Sequence, residues 1–205
     1  MQTLDTYKTI AEATQELLFK EKNSKFLGYA YPITAEDEVK PILVVLRKQH
    51  PNAVHFCYAY QLGAEQITYR ANDDGEPSGS AGMPIYGQLL SFGITNVLLV
   101  IVRYFGGVKL GVGGLISAYK TAAQLSLESA IIVEKTIDVE YVAQFDYAHL
   151  NKVMRVIKEK NLEILSQKMD MQCEIALATR KSNEDNLLAA FENLYEINLK
   201  KKAVN

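Results

Sequence analysis

The sequence predicts an α+β protein of two small domains, and three observations carry that reading. The 205 residues are 48% hydrophobic with only 12 Gly and 5 Pro, the profile of a chain that folds around a core. The run Val97-Leu98-Leu99-Val100-Ile101-Val102 is apolar without alternation, as in a strand covered on both faces. After Lys135 the order reads strand, helix, strand, strand, helix, strand, a ferredoxin-like βαββαβ unit. The expected domains are therefore residues 1–135 and 136–205.

In the first half, strands over residues 16–20 and 25–31 flank Glu21-Lys22-Asn23-Ser24, a polar tetrad suited to a hairpin turn. Thr34, with Asp37 three residues on, is the expected N-cap of a helix in which Val39, Ile42, Leu43 and Leu46 recur at helical spacing until His50-Pro51. Val54, Phe56, Tyr58, Tyr60 and Leu62 then alternate with His55, Cys57, Ala59 and Gln61, as in a half-buried strand, and a second strand covers residues 66–72. Turn formers replace periodicity through Asp73-Asp74-Gly75-Glu76-Pro77-Ser78-Gly79-Ser80-Ala81-Gly82-Met83-Pro84, with Pro84 at the first position of a short helix over residues 84–92. The apolar strand spans residues 96–104. Gly106-Gly107-Val108-Lys109-Leu110-Gly111-Val112-Gly113-Gly114 follows it, and then a helix over residues 115–129.

In the second half Ile137, Val139, Tyr141, Ala143 and Phe145 alternate as a strand, and Leu150, Val153, Met154 and Ile157 mark a helix. Residues 162–168 and 171–179 read as two more strands. Ser182 is the expected cap of a helix carrying Leu187, Leu188, Phe191 and Leu194, and Ile197 with Leu199 closes the unit as a strand. Lys200-Lys201-Lys202 reads as a solvated tail.

The formal net charge is −2, and neither half carries a basic excess, so a nucleic-acid role would have to rest on a local patch. Met1-Gln2-Thr3-Leu4-Asp5 offers neither a basic nor an apolar leader, and no apolar run is long enough to span a bilayer, so export and membrane anchoring are not expected. Cys57 and Cys173 sit in different halves and read as buried thiols of a reducing cytoplasm.

The segments 73–84 and 103–114 each join the end of a strand to the start of a helix. If those strands are parallel neighbours, both loops open at one sheet edge and two helix N-termini face one cleft, a setting attractive to phosphate or carboxylate. The glycines alone do not decide this. Gly113 stands where a P-loop has lysine and Ile116 where a dinucleotide fingerprint has its third glycine, so tight turning and close packing explain them equally well. Asp73, Asp74 and Glu76 invite a cation or acid/base chemistry, but their spacing is not that of an EF-hand. Arg103 ends an apolar strand and needs an anion, for which Asp73 or Asp74 is the expected partner. Ser78, Ser80, His55 and Cys57 match no nucleophile template. Tyr104 or Phe105 beside Arg103 and Lys109 would suit base stacking with phosphate contact.

Together the two loops closely resemble those of the IMPACT/YigZ family, as do Lys25-Phe26 and His55-Phe56-Cys57 upstream. The resemblance covers most of residues 15–125, and the second half looks like the small C-terminal domain of the bacterial YigZ members. It implies an N-terminal domain similar to the second domain of ribosomal protein S5 and a C-terminal one similar to a ferredoxin-like domain of elongation factor G. Eukaryotic relatives regulate translation during amino-acid starvation through additional domains not included in these residues. For bacterial members the resemblance implies a translation-linked or nucleic-acid-binding role. Met83 stands where relatives often have a basic residue and Ser117 where they often have Arg or Lys, which removes positive charge from the cleft edge.

The expectation is thus a cytoplasmic, translation-linked binding or regulatory protein with an anion cleft in its first domain. Asp73, Asp74, Gly75, Glu76, Ser78, Gly79, Ser80 and Gly82 would form one wall, and Arg103, Tyr104, Gly106, Gly107, Lys109, Gly111, Gly113 and Gly114 the other. The expected ligand is RNA or a phosphate-bearing group, with the ribosome or a translation-associated protein as partner and no cofactor or metal. A hydrolase or transferase using the same loops, and a protein-binding adaptor with a structural glycine-rich core, are the alternatives.

Overall fold

A computed structural model describes residues 5–202, so four residues of the start, Met1-Gln2-Thr3-Leu4, lie outside the described residues. The described chain divides into two compact units, Tyr7–Lys135 and a second made of residues 136–202 with Asp5 and Thr6.

The first unit runs β1 (Thr6–Ile10), β2 (Leu17–Glu21), β3 (Ser24–Pro32), α1 (Val39–Gln49), β4 (His55–Leu62), β5 (Thr68–Asn72), α2 (Gly82–Phe92), β6 (Val97–Tyr104), α3 (Gly111–Glu128) and β7 (Ile132–Thr136). Five strands form one sheet in the order β2-β3-β6-β4-β5, every neighbouring pair antiparallel, while β1 pairs with β7 in a separate ribbon. The hairpin between β2 and β3 turns through Lys22 (φ 43°) and Asn23 (φ 65°), the two left-handed residues that a tight two-residue turn requires.

Helices cover both faces of this sheet. Leu27, Phe56, Tyr60, Leu98, Val100 and Val102 form one core with Val39 and Leu46 of α1. Phe26, Cys57, Ala59, Val97, Leu99 and Ile101 form the other with Ile85 and Leu89 of α2 and Leu115, Tyr119 and Ala122 of α3. The reading of residues 54–62 as half-buried is therefore corrected: β4 is central, with Phe56, Cys57, Ala59, Tyr60, Gln61 and Leu62 all buried, because its alternate faces meet different helices.

Three local expectations also change. Glu38, not Asp37, holds the start of α1. Its Oε1 accepts from the Thr34 N–H at 2.7 Å, the Thr34 hydroxyl at 3.0 Å and the Ala35 N–H at 2.9 Å, and these bonds, the Thr34 N–H foremost, keep its carboxyl below the usual range. Pro84 is the third residue of α2 rather than the first. Finally, α3 begins at Gly111, four residues early, so Gly113 and Gly114 belong to its first turn despite glycine's poor helix propensity.

The second unit runs β8 (Asp138–Asp146), α4 (Leu150–Glu159), β9 (Glu163–Lys168), β10 (Gln172–Arg180), α5 (Glu184–Phe191) and β11 (Asn198–Lys201). Its sheet order is β11-β8-β10-β9, antiparallel throughout, which is the βαββαβ arrangement the pattern predicts. One face packs Val139, Tyr141, Ala143, Phe145, Ile175 and Leu177 against Val153 and Ile157 of α4 and Leu187 and Phe191 of α5. Ser182 is not the cap of α5. It lies in a 3-10 turn and hydrogen-bonds to Asp5, whose carboxyl the Arg180 guanidinium holds below the usual range. The three lysines are not a free tail: Lys201 pairs with Glu184 at 2.5 Å and Lys202 with Glu140 at 2.6 Å, tying the last strand down.

Candidate functional site

Because β6 and β5 each run antiparallel to β4, they point the same way, and the loops that follow them leave at one end of the sheet. They are not neighbours, since β4 lies between them, but the two helix N-termini still share that end. The start of β4, bearing His55, and the start of β3, bearing Ser24, lie there too, with His55 and Phe26 paired on either side of Arg103.

Each acid of the first loop already has a task inside the protein. The Asp73 carboxylate accepts N–H donors from Gly79 at 2.9 Å, Ala81 at 2.9 Å and Gly82 at 2.8 Å, so it fills the N-terminus of α2 that an outside anion would otherwise occupy. Partial burial pushes its pKa up, but the bonds from Gly79, Gly82 and Ala81 outweigh that and hold the carboxyl below its ordinary value. Asp74 bridges outward: both of its oxygens lie 2.9 Å from Arg47 Nη2, and Oδ2 accepts from the Phe56 N–H at 2.7 Å.

Glu76 faces inward and is the partner of Arg103. Its Oε1 lies 2.6 Å from Arg103 Nη1 and accepts the Tyr119 hydroxyl at 2.8 Å, with both charged side chains almost wholly buried (4% and 6% exposed). The expectation that Asp73 or Asp74 neutralises Arg103 is thus corrected. Only Glu76 turns toward the interior, because left-handed Gly75 (φ 88°) reverses the loop just before it while the two aspartates are spent on backbone and Arg47. The guanidinium also lies over the Phe26 and Phe105 rings, 5.5 and 5.7 Å from their centroids, and reaches Ser24 Oγ at 3.4 Å. Arg103 Nε is the one buried side-chain nitrogen or oxygen without a partner among the described residues.

Around this pair the polar groups interlock. His55 donates Nδ1–H to the Asp74 carbonyl at 2.8 Å, which turns Nε2 toward Glu76 at 3.9 Å. The Cys57 thiol donates to the Asp73 carbonyl at 2.9 Å and touches Tyr119 Oη at 3.3 Å. Burial pushes both the Cys57 thiol and the Tyr119 hydroxyl up, so neither is poised as a nucleophile at neutral pH. Cys173 is buried as well. The native protein should therefore leave both thiols unmodified by a thiol-specific chromogenic reagent at pH 8 and release two equivalents on denaturation. Fast labelling of one thiol in the folded state would contradict this reading.

The glycine-rich loop divides into packing and open positions. A Cβ on Gly106 would sit 2.1 Å from the Asn23 carbonyl carbon, and one on Gly82 would sit 2.6 Å from the Asn72 nitrogen, so both allow close backbone approach. Gly79, Gly107, Gly111 and Gly113 face open space, and Gly114 lies against Leu110. Ser80 is buried and donates to the Pro77 carbonyl at 2.6 Å; Ser78 is exposed. Lys109 is exposed, as are Val112 and Phe105. The first turn of α3 has no side-chain cap and no acidic residue. Tyr104 is corrected out of the cleft: one residue past Arg103, it points to the opposite face, where its hydroxyl meets His50 Nδ1 at 3.0 Å. Arg103 is likewise too buried to meet solvent phosphate.

Sequence reasoning missed Ser24, Arg47 and Tyr119 as members of this network. Ser24 carried a faint signal, a small polar residue opening an apolar strand. Arg47 on a solvated helix carried none. Among the described residues no group of three or more His, Cys, Asp or Glu is placed to hold a metal ion, and no helix is long and apolar enough to cross a membrane.

Comparison with known proteins bears directly on this unit. The family model described as the Impact N-terminal domain matches residues 22–127. The chain is 36% identical over 156 residues to the IMPACT family member YvyE of Bacillus subtilis, covering 76% of this chain and 71% of that one. It is 32% identical over 147 residues to the IMPACT family member YigZ of Escherichia coli, covering 71% and 72%. A crystal structure described only as that of a hypothetical protein superposes over 99% of both chains with a TM-score of 0.74 at 25% identity. The match spans both loops, β4 and the Glu76–Arg103 pair, and on this ground the chain belongs to the IMPACT family.

Proposed function

We propose that the chain is a translation-linked binding protein whose first unit holds a phosphate of RNA at the N-terminus of α3. One observation carries this: all three acids of the facing loop are neutralised internally, whereas Lys109 and the uncapped first turn of α3 at the same sheet end are not. A carboxylate wall would repel phosphate, but one consumed by backbone N–H groups, Arg47 and Arg103 does not. The free N–H groups and positive dipole end of an 18-residue helix, beside a lysine, favour an anion, and half-exposed Phe105 offers a face for a base. The translation link rests on the family resemblance.

Single-stranded U12 RNA binding, followed by fluorescence anisotropy across 50–300 mM KCl, tests the reading. Lys109→Ala is expected to weaken binding several-fold and to reduce the salt slope by about 1, as loss of one phosphate contact does. Exposed Met83 and Ser117 add no positive charge, so the parent slope should itself be shallow. No binding at 50 mM KCl, or a slope unchanged by the variant, would remove RNA from the site.

A further inference from the structure

We propose that the outer face of α2 and α3 docks an acidic, apolar-anchored segment of another protein, a surface distinct from the α3 N-terminus. The two helices are unusual for a solvent-facing layer: α2 carries no charged residue, and α3 carries only Lys120 and, at its last position, Glu128. Met83 and Leu90 on α2 and Ile116 on α3 are 40–54% exposed. Exposed apolar side chains on a charge-poor pair of helices mark an interaction surface.

Between the helices runs a groove of about 520 Å³, lined by Pro84, Gly87, Gln88, Ser91, Lys120 and Gln124 among others. Gly87 lies inside α2, yet a Cβ there would meet nothing within 4 Å, so no packing inside this chain requires glycine. An interior helical glycine without a steric reason lowers stability, and its open side is where foreign backbone fits closely.

Charge selects the occupant. Lys120 is the one charge lining the groove, and no carboxylate of α2 or α3 pairs with it, since Glu128 binds Gln124 Nε2 at 2.8 Å. Ile116 and Lys120 follow at i and i+4 beyond the first turn of α3, so an incoming segment meets an apolar contact and then a cation along one stripe. A segment with apolar anchors at helical spacing and an Asp or Glu beyond them complements this stripe. RNA does not, because this face offers one lysine with no free helix N-terminus beside it, that of α2 being filled by Asp73. A second copy of the face would add another lysine, and its one carboxylate, Glu128, already accepts from Gln124.

The test is selection from a phage-displayed library of random 16-residue peptides on the intact chain, with deselection on Lys120→Glu. The expected consensus has apolar residues at i and i+4 with Asp or Glu nearby, and its synthetic peptide should bind at least tenfold more weakly to Lys120→Glu and to Ile116→Asp. Gly87→Ala should raise the melting temperature by about 3 °C while weakening the same peptide several-fold, a combination that damage to the fold does not produce. The proposal fails if no acidic consensus emerges or if the consensus peptide ignores all three variants. It also fails if sedimentation equilibrium finds a dimer that Ile116→Asp dissolves, which would give the face to a second copy, or if U12 RNA displaces the peptide from the parent but not from Lys109→Ala.

Discussion

Arg103→Met is expected to lower the unfolding free energy by about 3–5 kcal/mol at pH 7, because it strands the buried Glu76 carboxylate without its cation. The remaining Tyr119 hydroxyl supplies one hydrogen bond at 2.8 Å, too little to replace a guanidinium at 2.6 Å inside a nearly water-free site. The double variant Arg103→Met/Glu76→Gln separates two explanations. Its amide still accepts from Tyr119, and the methionine fills the space between Phe26 and Phe105, so most of the lost stability should return, to within about 1–2 kcal/mol of the parent. The return is expected to be large because the parent pair is itself imperfect, with Nε lacking an acceptor and Nη2 reaching Ser24 only at 3.4 Å. Urea unfolding of the three proteins decides. If the double variant is no more stable than the single one, Arg103 contributes through packing rather than through its charge.

Asp73→Ala should cost about 2–3 kcal/mol, since three N–H donors at the start of α2 lose a charged acceptor at once. Its acid dependence gives a second, independent readout. The folded carboxyl titrates below its ordinary value, so its contribution is complete above about pH 4 and is lost as pH falls through the lower folded value. Asp73→Asn keeps the shape and one acceptor oxygen but has no titration. Its stability should therefore fall less steeply below pH 4 than the parent's, and parallel curves for the two proteins in that range would show that Asp73 does not couple protonation to folding. The same carboxylate explains why the α2 N-terminus, although aimed at the same end of the sheet as that of α3, is not a second anion site: the chain has filled it.

Where neighbouring residues decide the outcome, the sequence alone was enough. The unbroken apolar run of β6, the Lys22-Asn23 turn, the alternation along β8 and the helical spacing in α1 and α4 each follow from interactions within a few residues, and each lies where the pattern places it. The ribbon of β1 and β7 was not legible, because two five-residue strands over 120 positions apart leave no local period. Nor was the second covered face of β4: its alternate residues look polar or small until α2 and α3 fold over them. The candidate site divides in the same way. Its loops, glycines and charged residues were visible as types in a row, and so was the need of Arg103 for an acid. Which of three adjacent carboxylates would answer it depended on the left-handed turn at Gly75, the rival claims of Arg47 and of the α2 backbone on the aspartates, and Tyr119 arriving from 43 residues away. Burial and ion pairing at a site are set by groups brought together only when the sheet and its helices close, so the tertiary structure alone decided which charges are scaffold and which remain free to bind.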